Sequence, residues 1–421
     1  MNEILNRRKI AEGVHFSSIT DNRYKKNLIS VIFYTEMNEN TVTDNVIVPE
    51  LLSKCNAKIP TYKEFNNKMS RLYASVVNGS SSRQYDLQAL RLAAFYLDDA
   101  YALSGEKMTD IMTDTLIDCL TDPVTENGAF SAKLTELEKK TVIDNIAAAI
   151  NDKRSYATDR AMQTICSGEP ASVSAYGTEE KAREITPESA YKAYRRMIES
   201  MPCEIICVGS SDFSGVAEKF TEAFAKVGRH DIEATTIGLS AIKDTPKEVV
   251  ERLSVNQSKL VLGFKSHCED LPALVLLQKI YGGTTSAKLF KVVREKMSLC
   301  YYCSAGLNDL KGVMLVNSGV ENENIEKTKT AVIDQLEEMK NGNFTDEDIS
   351  FAEMNIKNAY MGVADSAFGV SSWYADRILK NDIVTPEQAL SRYLGVSKER
   401  IIAAAKSVVL DSVYVLTGIE E

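Results

Sequence analysis

The chain has 421 residues, 44% hydrophobic and 26% charged, a globular composition long enough for two or three domains and far from that of disordered chains. Its 49 basic and 59 acidic side chains leave a formal charge of −10, which repels phosphate backbones and anionic lipid and argues against nucleic acid as a partner. No run reaches the roughly 18 apolar residues of a membrane span, and the opening MNEILNRRKIAEGVHFSS has no signal-peptide core, so a cytoplasmic protein is expected, its eight cysteines present as thiols.

In chain order, KNLISVIFYTE (26–36) reads as a strand. TVTDNVIVPELLSK (41–54) follows, apolar but interrupted by Pro49. Proline disfavours the α conformation at Val48 and has no N–H to donate, so the helix is expected to start at Pro49, with Glu50 in its first turn, where a helix N-terminus favours a carboxylate. KEFNNKMSRL continues as a helix into the strand-like YASVVNGSSSRQY (73–85). EIICVGSSD (204–212) is a strand that turns into the helix SGVAEKFTEAF. In CEIIC (203–207), Cys203 and Cys207 share a face, but four strand steps hold them about 13 Å apart. VGRHDIEATTIGLSAIKDTPKE carries no period and is the natural linker, between residues 227 and 250.

The strand SKLVLGF (258–264) opens a second series, continued by PALVLLQKI and KLFKVVREKMSLCYYCSAG and closed by the strand SVYVLTGIE (412–420). In CYYC, the odd separation of Cys300 and Cys303 along a strand sends their sulfurs to opposite faces, against a zinc chelate. Strand, apolar helix, second helix and closing strand occur in the same order in both series, with Phe65 matched to Phe290 and Met69 to Met297, 225 and 228 residues apart. The alternation predicts an α+β fold of two tandem homologous domains, 1–228 and 229–421, each a mostly antiparallel mixed sheet covered by helices.

Gly282, Gly283, Ser286, Leu289, Phe290, Arg294, Glu295, Leu299 and Tyr301 form an ordered set that resembles the insulinase/pitrilysin-type (inverzincin) metallopeptidases, the short bacterial branch in particular. The resemblance covers nearly the whole chain and implies that the two domains form one half of a clamshell. Peptide-cutting members carry an inverted HxxEH motif, with two histidines one helical turn apart to hold zinc and a glutamate to activate its water. Matched through ELLSKCN, the five motif positions fall on Val46, Ile47, Val48, Pro49 and Glu50. The three histidines, His15, His230 and His267, cannot form the motif elsewhere. In ELEKKTVIDNI, Glu138 keeps the first of two family glutamates, and Asn145 stands where the resemblance implies the third zinc ligand.

The resemblance therefore implies a degenerate zinc site at Val46, Pro49, Glu50 and Asn145, no metal, no cofactor and no catalytic residue in this chain. Arg294 and Tyr301 match the pair that the family extends toward substrate, a guanidinium to grip a peptide carbonyl or carboxylate and a phenol to hydrogen-bond an oxyanion. Residues 73–85 match the edge strand along which an extended substrate pairs, with an ordinary internal strand as the competing reading. The pattern implies a non-catalytic, peptide-binding subunit that pairs with an HxxEH-bearing homologue. It also resembles the inactive member of the paired peptidase-like proteins associated with elongation factor P modification. The alternatives are a self-associating or stand-alone peptide-binding scaffold, and a peptidase with a non-standard metal site.

Overall fold

The computed structural model describes residues 5–418; the first four residues of the N-terminal stretch and the last two of SVYVLTGIE lie outside the described residues. The chain divides into two compact units: Met1–Ala147 with Val173–Thr236 and Gly362–Thr385, and Ala148–Ser172 with Ile237–Met361 and Pro386–Glu421. Each unit thus takes one segment from the other half of the sequence.

In the first unit the strands are β1 (Asn6–Ala11), β2 (Val14–Thr20), β3 (Lys26–Glu36), β4 (Val76–Gln84), β5 (Leu87–Leu97), a short hairpin of β6 (Thr125–Glu126) and β7 (Ala129–Phe130), and β8 (Cys203–Gly209). Its main sheet runs β1-β2-β8-β3-β5-β4. All neighbours are antiparallel except β2 and β8. β3 lies at the centre, and every residue between its two ends is buried, as a strand covered on both faces must be. Among the helices are α1 (Val42–Leu52), α2 (Tyr62–Arg71), α3 (Met108–Thr121) and α4 (Ala132–Ala148). One sheet face meets α1, α2 and α3 through Ile29, Val31, Phe33, Leu90 and Leu92. The opposite face takes the helix Ala367–Leu379 against β3 and β8, where the Tyr85 hydroxyl donates to Asp376 at 2.6 Å.

The second unit repeats this plan. Its strands β9 (Lys247–Arg252), β10 (Ser258–Lys265), β11 (Cys300–Asn308), β12 (Val313–Val320) and β13 (Val409–Thr417) run in the order β11-β12-β10-β13-β9. That is the first order without its outermost β1, down to the single parallel pair, here β13 with β9. One face packs on the helices Leu271–Gln278, Ile325–Lys340 and Lys398–Lys406. The other is covered by α5 (Lys153–Ile165), whose Ala157, Ala161 and Ile165 meet Val261, Leu315 and Tyr414.

Three local expectations are corrected. The helix does not start at Pro49: α1 runs through it, and Glu50 lies in the last turn rather than the first. Every α1 residue except Asp44 and Glu50 is buried. An internal proline costs about 3 kcal/mol, whereas burying each of Val46, Ile47, Val48, Leu51 and Leu52 contributes roughly 1.5–3 kcal/mol, so packing outweighs the missing hydrogen bond.

The repeat register also differs. Phe65 and Met69 are buried in α2, but in the second unit the corresponding buried residues are Leu289 and Val293, while Met297 is 47% exposed. Leu289 and Val293 both lie in a π-helical segment, Leu289–Lys296, in which the Met297 N–H donates to the Val292 carbonyl. Finally, Cys300 and Cys303 do not point to opposite faces. Cys300 pairs with Val320 and Tyr302 with Gly319, which leaves Tyr301 as the extra residue of a β-bulge and brings both cysteines against the same core.

Candidate functional site

In the first unit the expected zinc position is built from the last turn of α1 and the facing stretch of α4. Val46 and Pro49 are buried and offer no metal donor. Glu50 and the buried Glu138 both turn to the ammonium of Lys54, at 3.3 Å and 3.9 Å. The Lys54 Nζ also lies 5.9 Å from the centre of the Tyr62 ring. Burial pushes the Glu138 carboxyl above its ordinary value, Lys54 pulls it back, and Glu50 pushes it up again. Asn145, two turns further along α4, is exposed.

These residues do not fit zinc. A structural or catalytic zinc takes at least three protein ligands of imidazole, thiolate or carboxylate type. Here two carboxylates are present, and a lysine cation stands against both. Among the described residues no group of three or more His, Cys, Asp or Glu could hold a metal. Lys54 is the residue that sequence reasoning missed; its only signal was the Glu50–Lys54 spacing of one helical turn.

β4 is the outermost strand of its sheet, so the edge reading of residues 73–85 holds over the internal one. Gly79 in β4 lets the sheet touch α1: a Cβ there would lie 1.9 Å from the Pro49 carbonyl oxygen. Beside the start of β4, a cleft of about 210 Å³ is lined by Lys54, Tyr62, Phe65, Met69, Val76 and Asn78, among others.

In the second unit β11 holds the corresponding outer position. Gly282 packs against it so closely that a Cβ would lie 2.8 Å from the Ala305 backbone nitrogen. Arg294, at the end of the π-helical segment, donates from Nε to the Tyr301 carbonyl at 2.9 Å, and its guanidinium stands 4.4 Å from the centre of the Phe290 ring. Tyr301, carried outward by the bulge, is 60% exposed. Its hydroxyl donates to Glu321 at 2.7 Å, which holds the phenol above its ordinary pKa. The structure therefore brings Arg294 and Tyr301 together and adds Glu321, whose contact crosses from one strand to the end of the next and left no signal in the sequence.

Two sheets of one strand order and a first unit without HxxEH define the class: an α+β protein similar to the M16 peptidases. A model of the family described as Peptidase M16 inactive domain matches residues 184–355. Over 403 residues the chain is 27% identical to the "Probable inactive metalloprotease YmfF" of Bacillus subtilis, covering 93% of each protein. In solved structures, a conserved protein from Enterococcus faecalis superposes with a TM-score of 0.91 at 23% identity over the full length of both chains. A peptidase M16 inactive domain from Pseudomonas fluorescens gives 0.81 at 15% identity, covering 100% of this chain and 99% of that one. The resemblance to the insulinase-type peptidases holds: this chain is similar over nearly its whole length to a protein described as a probable inactive metalloprotease, and it shares the α+β fold of the M16-like structures.

Proposed function

We propose that this chain is the non-catalytic, peptide-binding subunit of a two-chain peptidase, its partner an HxxEH-bearing homologue that supplies the zinc. The observation that carries the reading is the contrast between the two units. At the positions matched to the zinc motif this chain holds a Lys54–Glu50–Glu138 ion cluster; at the positions matched to the substrate-facing pair, Arg294 of the π-helical segment donates to the carbonyl of Tyr301 on the edge strand β11. An edge strand offers unpaired backbone groups to an extended peptide, a mode that needs no metal and no particular side chain.

The test is to mix the purified chain with an HxxEH-bearing homologue from the same organism, measure complex mass by light scattering and follow cleavage of unstructured peptides. A complex of one copy of each, cleaving where neither chain cleaves alone, is the expected result. A mixture that stays as separate chains, with no gain in cleavage, refutes the pairing and leaves a peptide-binding scaffold as the reading to pursue.

A further inference from the structure

On the face of the second sheet that α5 covers, Lys259, Gly319 and Tyr302 stand in one row across β10, β12 and β11. Gly319 makes room for the tyrosine: a Cβ there would lie 2.5 Å from the Tyr302 ring and 2.8 Å from the Gln257 side-chain oxygen. Two cations stand against that ring, the Arg154 guanidinium 4.3 Å from its centre and the Lys259 ammonium 5.9 Å from it. Arg154, in the first turn of α5, also donates from Nη2 to the Ser304 hydroxyl at 3.1 Å, so it reaches over the edge strand itself. Lys259 donates to the Gln257 amide oxygen at 2.6 Å. These acceptors are neutral, and among the described residues neither cation forms an ion pair. Asp152 does not supply one: its oxygens accept from the Arg154 and Ser155 N–H groups, at 3.1 Å each, and from the Ser155 hydroxyl at 2.6 Å. Burial, and then the charge of Arg154, pull the Lys259 ammonium below its ordinary value. Two cations on one ring, with neutral acceptors alone, carry a cost in repulsion and desolvation, and they do so in a chain whose net charge is −10. A bound carboxylate offsets both, and the remaining N–H groups of Arg154 offer the planar fork that takes two carboxylate oxygens at once.

We propose that Arg154, supported by Lys259, recognises the carboxylate of an aspartate or glutamate in an extended peptide that pairs with the free edge of β11. Beyond the bulge the ladder with β12 is regular from Tyr302 to Asn308, and β11 is outermost in its sheet. A strand added there places alternate side chains beside Tyr302 and Ser304, on the face that Arg154 reaches. An acidic residue at such a position meets the guanidinium, whereas a lysine or arginine meets two like charges and is turned away. The site gives the peptide-binding reading above a substrate class, acidic segments. It rests on that reading, but not on the presence of a zinc-bearing partner.

The experiment measures binding of rhodamine-labelled, end-blocked peptides to the full chain by fluorescence anisotropy. The peptides are short Thr/Val sequences into which one Glu, Gln or Lys is placed at each position in turn. Glu at one position, or at alternate positions, is expected to bind about tenfold tighter than Gln at the same place, the scale of a hydrogen bond to a charged group, and Lys more weakly than Gln. Raising the salt from about 0.05 M to about 0.5 M is expected to shrink the Glu preference, since the attraction is partly screened. Arg154 is exposed, so Arg154→Gln is expected to keep the wild-type thermal melt while binding Glu and Gln peptides alike. Equal affinity of the wild-type chain for Glu and Gln peptides, or a Glu preference that Arg154→Gln leaves intact, overturns this inference and leaves peptide binding standing. Absence of binding by every peptide overturns both.

Discussion

At residue scale, the Lys54 ammonium stands between Glu50 and the buried Glu138. Lys54→Met removes the one influence that lowers the Glu138 pKa and leaves burial and Glu50, both of which raise it. A carboxyl raised in the folded state favours folding when protonated and disfavours it as pH rises through the folded pKa. The variant is therefore expected to be less stable than wild type by about 1–3 kcal/mol at pH 7. The deficit should shrink as pH falls through the raised pKa and be nearly gone below the ordinary value of 4.5. Urea melts at pH 7.5 and pH 4 measure this directly, and a deficit independent of pH would show that Lys54 acts only through packing. The loss of the histidines was readable residue by residue. The role of Lys54 was not, because Glu138 reaches it from a different helix.

Among elements, α1, the π-helical segment and β11 all depart from local rules, and each does so where packing demands it. α1 keeps its helix through Pro49 because nearly all its side chains are buried, and it lies so close to β4 that Gly79 has no room for a Cβ. Gly79→Ala is expected to destabilise the first unit by about 3 kcal/mol, the upper end of ordinary overpacking, because the obstacle is backbone rather than a side chain that can rotate away. Calorimetry should show the drop, and an unchanged melting temperature would mean that α1 and β4 are not in this contact.

In the second unit the buried Lys265 and Asp411 pair at 3.2 Å, and Lys243 joins Asp411 at 3.4 Å while donating to the Thr164 and Ile165 carbonyls at the end of α5. Asp411→Asn leaves Lys265 buried without its counter-charge and is expected to cost about 3–5 kcal/mol, read as a shift in the urea midpoint. A loss below about 1 kcal/mol, the scale of an exposed pair, would count against the burial of this pair.

For the whole molecule, the repeated sheet order is the main structural result, and its functional weight rests on the edge strands β4 and β11. In the mixed complex proposed above, Arg294→Ala is expected to lower kcat/KM by about 10²-fold, on the scale of losing one charged contact to the reacting carbonyl. The same change should leave complex mass unaltered. Tyr301→Phe, which keeps the ring and removes the hydroxyl, is expected to lower kcat more than it raises KM, since a donor to an oxyanion acts in the transition state. Wild-type rates from both variants would remove these residues from the site even if the complex forms. No helix among the described residues is long and apolar enough to cross a membrane.

The sequence by itself determined the α+β class, the internal repeat and the disappearance of the zinc histidines, because each of these is written in composition, in apolar order or in residue identity at consecutive positions. Tertiary structure alone decided that α1 passes through Pro49, that Leu289 and Val293 are the buried residues of the π-helical segment, and that a bulge exposes Tyr301 while aligning Cys300 with Cys303. It likewise decided that α5 and Ala367–Leu379 each complete a sheet built by the other half of the chain. The physical reason is common to all four: local preferences are worth a few kcal/mol at most, and burial against distant segments, which leaves no trace in neighbouring residues, outweighs them.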